Sequence, residues 1–177
     1  MPAMHPSWSG DRAMSVDLVV EESGWDEGHL DALAQAACAA ALAAFDLDPN
    51  RFEISLLGCC DARIAALNSD FRGKPRATNV LSWPSEDIAL PLGRMPDLPV
   101  PDAGGPPMEL GDIAIAYETC ASEAADQGKS FDDHVRHLLI HATLHLLGFD
   151  HINDADAELM EKIETRILET LGIPDPY

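Results

Sequence analysis

Three histidines in the C-terminal third of the chain have the type and spacing to hold one metal ion. They lie in the run His141-Ala142-Thr143-Leu144-His145-Leu146-Leu147-Gly148-Phe149-Asp150-His151. An α-helix completes a turn in about 3.6 residues, so His141 and His145 project from one face, a turn apart. Gly148 admits the left-handed backbone conformation that ends a helix and reverses the chain, which can return His151 as a third ligand. Three neutral imidazoles leave one position of a tetrahedral zinc site open to water, the arrangement of a hydrolytic centre and not of a closed structural one. The expectation is one Zn2+ per chain, held by His141, His145 and His151 at a helix end.

The same spacing matches the metzincin pattern H-E-x-x-H-x-x-G-x-x-H, with one difference. The position after the first histidine is Ala142, where a zincin protease carries the glutamate that acts as general base. The metal cradle is kept and the peptidase base is absent, which counts against a protease of that mechanism. His137 falls one turn before His141 on the same face and reads as a hydrogen-bonding or partly exposed residue; His134 reads the same way. His5 and His29 read as solvated. Asp150 and His137 are candidates for a general base by position, and Asp150 equally for orienting a ligand imidazole.

Charge narrows the substrate classes. The chain has 31 acidic against 11 basic residues, a formal charge of −20, which repels nucleic acid at long range because binding normally depends on Lys and Arg displacing counterions. Any nucleic-acid role must rest on a local patch. One exists: Arg72, Lys74 and Arg76 cluster in five residues, and no acid occurs from Phe71 to Pro84. Arg72 offers a bidentate fork for phosphate and Lys74 a point charge, although a solvated loop cluster would have the same composition.

The elements that must position these groups read as follows. Val16–Val20, Phe52–Leu57, Thr78–Trp83 and Asp112–Ala116 are β-prone runs. Leu30–Phe45, Asp61–Asn68, Tyr117–Gln127, Phe131–Leu147 and Asp154–Leu171 read as helices, the first starting near Asp26 or Glu27, the second with Asp61 as its N-cap. Four strands interleaved with about five helices imply a small α+β domain with a mixed four-stranded sheet. Residues 1–14 read as a loose leader, 15–177 as a single domain, and the Pro- and Gly-rich stretch 85–108 as a flexible loop within it. Cys38, Cys59, Cys60 and Cys120 match neither a metal pair nor a disulfide framework and read as reduced thiols. No run approaches the roughly 20 apolar residues of a membrane span, so a cytoplasmic location is expected.

Three segments together resemble the YbeY family of bacterial endoribonucleases: LNSDFRGKPRATNVLSWP at Leu67–Pro84, ELGDIAIA at Glu109–Ala116 and HATLHLLGFDH at His141–His151. The acidic C-terminal helix and the LGIPDPY ending resemble that family too, and the likeness runs from about Val16 to Tyr177. Ala142 stands where the family usually carries Gly; both are small, so access to the metal is retained. The 85–108 loop is longer than in many members. The resemblance implies a single-strand-specific, zinc-dependent endoribonuclease in maturation of the 3′ end of 16S rRNA and in ribosome quality control. It places the zinc ligands on His141, His145 and His151 and the functional arginine on Arg72. Implied partners are the 16S rRNA precursor, small-subunit ribosomal proteins and an Era-type GTPase, which would supply RNA affinity that the acidic chain lacks. Two other readings stand beside it: a zinc metallopeptidase-like hydrolase, and a non-catalytic ribosome-assembly factor in which zinc only holds His151 in place.

Overall fold

Side chains alternate across a strand, so each strand sorts its residues between two layers. In the computed structural model, which describes residues 14–21, 24–86 and 95–177, that sorting is clear. β2 (Phe52–Cys59) sends Phe52, Ile54 and Leu56 into the main core and Leu57 and Cys59 into a smaller cluster on the other face. β4 (Met108–Ala116) does the same with Ile113 and Ile115 against Ala114 and Ala116. β1 (Ser15–Val20) and β3 (Val80–Pro84) complete a sheet of order β1-β2-β4-β3, in which β1, β2 and β4 run parallel and β3 is antiparallel to β4. The expected α+β class with a mixed four-stranded sheet is the one observed.

The larger core lies under α1 (Glu27–Ala43) and α4 (Phe131–Leu146), with α5 (Asp154–Thr170) closing it; α2 (Asp61–Arg72) covers the smaller cluster through Ile64 and Leu67. α3 (Tyr117–Asp126) links β4 to α4. These are the five α-helices among the described residues, and none of them is long and apolar enough to cross a membrane. Helix starts follow side-chain capping: Asp26 accepts from His29 N at 2.8 Å, Ser130 from Asp133 N at 3.1 Å and Asn153 from Asp156 N at 2.9 Å.

Two local readings need correction. Asp61 does not cap α2; Cys60 occupies the cap position without a side-chain bond, and the Asp61 carboxylate accepts instead from Thr119 N (3.1 Å) and Thr119 Oγ1 (2.7 Å), tying α2 to α3. α2 also runs four residues past Asn68, to Arg72, because Gly73 at φ 64° closes it with left-handed geometry. Arg72 therefore belongs to a helical turn and not to a loop. β4 starts at Met108, four residues before the expected Asp112; residues 87–94 of the 85–108 stretch and 1–13 of the leader lie outside the described residues, as does His5. Met14 is buried at 3% exposure. Residues 95–107 hold no helix or strand, and Arg51 donates to the Gly105 carbonyl at 2.9 Å.

One backbone feature bears on the site. The β2–β4 register shifts between Glu53 and Ile54, which face Glu109 and Gly111, so Leu110 is an extra residue in β4. Gly111 sits at φ 145°, and a Cβ there would lie 2.2 Å from the Trp83 carbonyl oxygen and 2.9 Å from Leu146 Cδ2. A bare backbone at that point lets β3, β4 and the last turn of α4 meet.

Candidate metal centre and cleft

α4 presents two apolar sides to the core and leaves a stripe of His137, His141 and His145 along its remaining face. At its end Leu147 N bonds back to Thr143 O, Gly148 takes φ 107°, and the chain turns toward α5. The turn returns His151, as expected from its position. Ring centroids are 4.6 Å apart for His141 and His145, 5.3 Å for His141 and His151, and 5.0 Å for His145 and His151. One ligand nitrogen from each lies within 4.8 Å of the others, and this is the group among the described residues that could hold a metal ion.

The hydrogen bonds around these rings assign the free nitrogens. His145 Nδ1 donates to the Phe149 carbonyl at 2.9 Å, and His141 Nδ1 donates to Glu164 Oε1. Both Nε2 atoms are thereby left as lone pairs, and they face each other at 3.0 Å. Two imidazole lone pairs at that separation repel unless a cation lies between them, so the donor set fits a metal. Burial, and then the neighbouring His141 and His151, push His145 down to about 4, which keeps it a neutral ligand at pH 7. His151 is more open, with a side chain 56% exposed; its backbone N–H donates to Asp150 Oδ1 at 2.7 Å, and its Nδ1 lies 3.7 Å from that oxygen.

The sequence reading missed Glu164. Its side chain is fully buried, with Oε1 on His141 and Oε2 accepting from His137 Nε2 at 3.1 Å and from the Tyr177 hydroxyl. Burial pushes this carboxyl up, but the bonds from His137, His141 and Tyr177 outweigh it and hold the group at about 2. A signal was present: α5 buries Met160, Ile167 and Leu168, and Glu164 falls one turn from Met160 and from Leu168, an acid on the apolar face. His137 is thus a hydrogen-bonding residue, as expected. His134 is buried and bonds Glu123 Oε2 at 2.8 Å, and Asn79 Nδ2 donates to the same oxygen at 3.0 Å. All four cysteines are free, and burial pushes Cys38 up to about 11 and Cys59 up to about 12, so neither thiol competes as a ligand.

The basic segment lines the same cleft. Arg72 ends α2 and donates to the Ser82 carbonyl of β3 at 3.1 Å; Lys74 N caps back to Asn68 O, and Asn68 Nδ2 holds the Arg76 carbonyl at 3.0 Å. The turn is therefore pinned to both α2 and β3. Arg72, Lys74 and Arg76 line the same cleft of about 900 Å³ as His141, His145 and His151. Residues separated by some seventy positions in sequence meet because α4 packs beside β3.

Fold and site define a class: an α+β protein in which three histidines at a helix end share one cleft with a basic helix-capping turn. The sequence profile described as Endoribonuclease YbeY matches residues 17–172, and the chain belongs to the endoribonuclease YbeY family. Proteins named Endoribonuclease YbeY from Jannaschia sp. (strain CCS1) and Ruegeria pomeroyi are similar to it. The first is 55% identical over 166 residues, spanning 93% of this chain and 100% of that protein. The second is 56% identical over 165 residues, spanning 93% and 98%. Among solved structures, the solution structure of TM1509 from Thermotoga maritima aligns with TM-score 0.52 at 18% identity, over 89% of this chain and 91% of that one, a likeness of fold.

Proposed function

We propose that this protein is a zinc-dependent endoribonuclease that cuts single-stranded RNA, acting in the cytoplasm on the 3′ end of precursor 16S rRNA and in ribosome quality control. The observation that carries the reading is the shared cleft, lined both by the three-histidine donor set and by Arg72, Lys74 and Arg76. Family membership supports RNA as the substrate. His141, His145 and His151 would hold the zinc, which when bound supplies Lewis-acid activation of water and of a phosphoryl oxygen. Arg72 binds the scissile phosphate and offsets the negative charge that builds on it. Lys74 and Arg76 hold neighbouring phosphates as positioning charges. Glu164 and the Phe149 carbonyl keep the Nδ1 protons of His141 and His145 in place, so that both rings present Nε2. Asp150 and His137 also line this cleft; Asp150 is a candidate general base, whereas His137 already donates its Nε2–H to Glu164.

The remaining acidic surface suits basic protein partners by charge complementarity, in keeping with small-subunit ribosomal proteins and an Era-type GTPase as associates. The deciding experiment is cleavage of a labelled RNA spanning the 3′ end of precursor 16S rRNA by the purified protein and by a His145→Ala variant prepared in parallel. Cleavage by the parent alone is the expected result. Equal cleavage by both would sink the metal mechanism. Cleavage by neither, with ribosomes present and the protein bound to them, would favour a non-catalytic assembly factor.

A further inference from the structure

We propose that Tyr177 is a positioning residue of the metal centre, acting through Glu164 on His141; this rests on the reading that the three histidines hold a metal. The chain of contacts is continuous. Glu164 Oε1 receives the Nδ1 proton of His141, and Glu164 Oε2 receives the Tyr177 hydroxyl and His137 Nε2. The Oε1 contact fixes which nitrogen of His141 is free and restrains rotation of its ring, both of which a ligand imidazole needs. A carboxyl group with no solvent exposure needs hydrogen-bond partners on both oxygens. Tyr177 is one of those partners, and its hydroxyl is pushed well above the ordinary phenol range by burial and then by Glu164, so it remains an O–H at all ordinary pH.

The segment after α5 is built to deliver that hydroxyl. Gly172 at φ 72° turns the chain, and Ile173 is buried against the core. Pro174 and Pro176 restrict the backbone on either side of Asp175. Asp175 Oδ1 accepts from Tyr177 N at 2.9 Å, and Lys129 Nζ donates to the Pro176 carbonyl at 3.2 Å. The Tyr177 ring meets His137 edge-on at 5.6 Å, yet the residue is 61% exposed. An aromatic residue left this open contributes little to the core; its specific contacts are made by the hydroxyl, on Glu164 Oε2 and, at 3.3 Å, on His137 Nε2. Docking of the tail is thereby coupled to the geometry of the first histidine of the cradle.

The test compares the parent with Tyr177→Phe, Glu164→Gln and the double variant. Zinc affinity is read by competition with a chromophoric chelator, and the visible absorption bands of the Co2+-loaded protein report ligand geometry. Glu164→Gln should weaken zinc binding by about 10- to 100-fold, and Tyr177→Phe by about 3- to 10-fold, only part of the worth of a hydrogen bond to a charged group because the effect reaches the metal through Glu164. The double variant should bind no more weakly than Glu164→Gln alone, because the hydroxyl's two partners, Glu164 and the His137 that donates to it, both reach His141 through that carboxylate. The Co2+ bands should shift in Tyr177→Phe, a change of ligand geometry that a loss of fold stability alone would not produce. Parent-like affinity and bands in Tyr177→Phe, or additive losses in the double variant, would overturn the proposal. Should Glu164→Gln fail to fold, the single Tyr177→Phe comparison still decides. A parent that takes up no zinc overturns the cradle reading instead, a result distinct from either.

Discussion

Arg72 donates one bond to the Ser82 carbonyl, which leaves most of the five N–H groups of its guanidinium for a phosphate. Arg72→Ala should lower the single-turnover rate of RNA cleavage by about 100-fold, the scale seen when one charge-stabilising donor is removed, with zinc content intact. Arg72→Lys should recover only part of it, since an ammonium lacks the fork. An unchanged rate in Arg72→Ala would take this residue out of the mechanism. Titration at the cradle gives a second expectation, for the metal-free protein. His145 falls from its ordinary 6.5 to about 4, so the unfolded chain binds the proton first, and stability present above pH 6.5 is lost as pH falls toward 4. Glu164 falls from 4.5 to about 2, and its contribution is lost as pH falls from 4.5 toward 2. Urea midpoints should therefore decline in two stages below pH 6.5, the lower stage being smaller in Glu164→Gln; a flat profile down to pH 4 would contradict the His145 assignment. The three histidines were legible in the sequence because helical period and a turn glycine are local signals. Glu164 was not, because its role depends on which helix packs beside α4.

At the scale of elements, capping residues and glycines marked most of the boundaries. Ser130 and Asn153 open α4 and α5, and Gly128, Gly148 and Gly172 follow helix ends. The sequence signals α2 only as far as Asn68, because Ser69 and Asp70 are weak helix formers that compete for backbone bonds. In the fold Asn68 is buried and spends its amide on the Arg76 carbonyl, so tertiary packing carries the helix through them. The order β1-β2-β4-β3 had no local signature at all, since strand choice is a matter of distant pairing. Gly111 is where that pairing is most constrained. Gly111→Ala would place a methyl 2.2 Å from the Trp83 carbonyl at a φ of 145°, which should cost at least about 2 kcal/mol. Equilibrium urea unfolding measures this directly, and a midpoint equal to the parent's would mean that β3 and β4 can separate without loss.

For the whole molecule the decisive quantity is charge. A formal −20 makes the approach of a polyanion unfavourable at long range, while Arg72, Lys74 and Arg76 in the cleft attract it at short range. Salt acts on the two effects in opposite directions. Added ions screen the global repulsion over the Debye length, about 10 Å at 0.1 M, and they also compete with the few local phosphate contacts. Three such contacts to a single strand predict that log affinity falls with log salt at a slope of only about −2. The association rate should stay flat or rise between about 0.05 and 0.2 M salt, unlike that of a basic nuclease, which is slowed as steering is screened. Replacing Lys74 or Arg76 with Ala should reduce the slope by about 0.7 each and weaken binding to all sequences alike. Stopped-flow anisotropy with a labelled single-stranded RNA gives rate and affinity together. A slope steeper than about −5, or an association rate that drops sharply with salt, would mean that RNA contacts extend far beyond this one turn and that the acidic surface is not what the strand meets first.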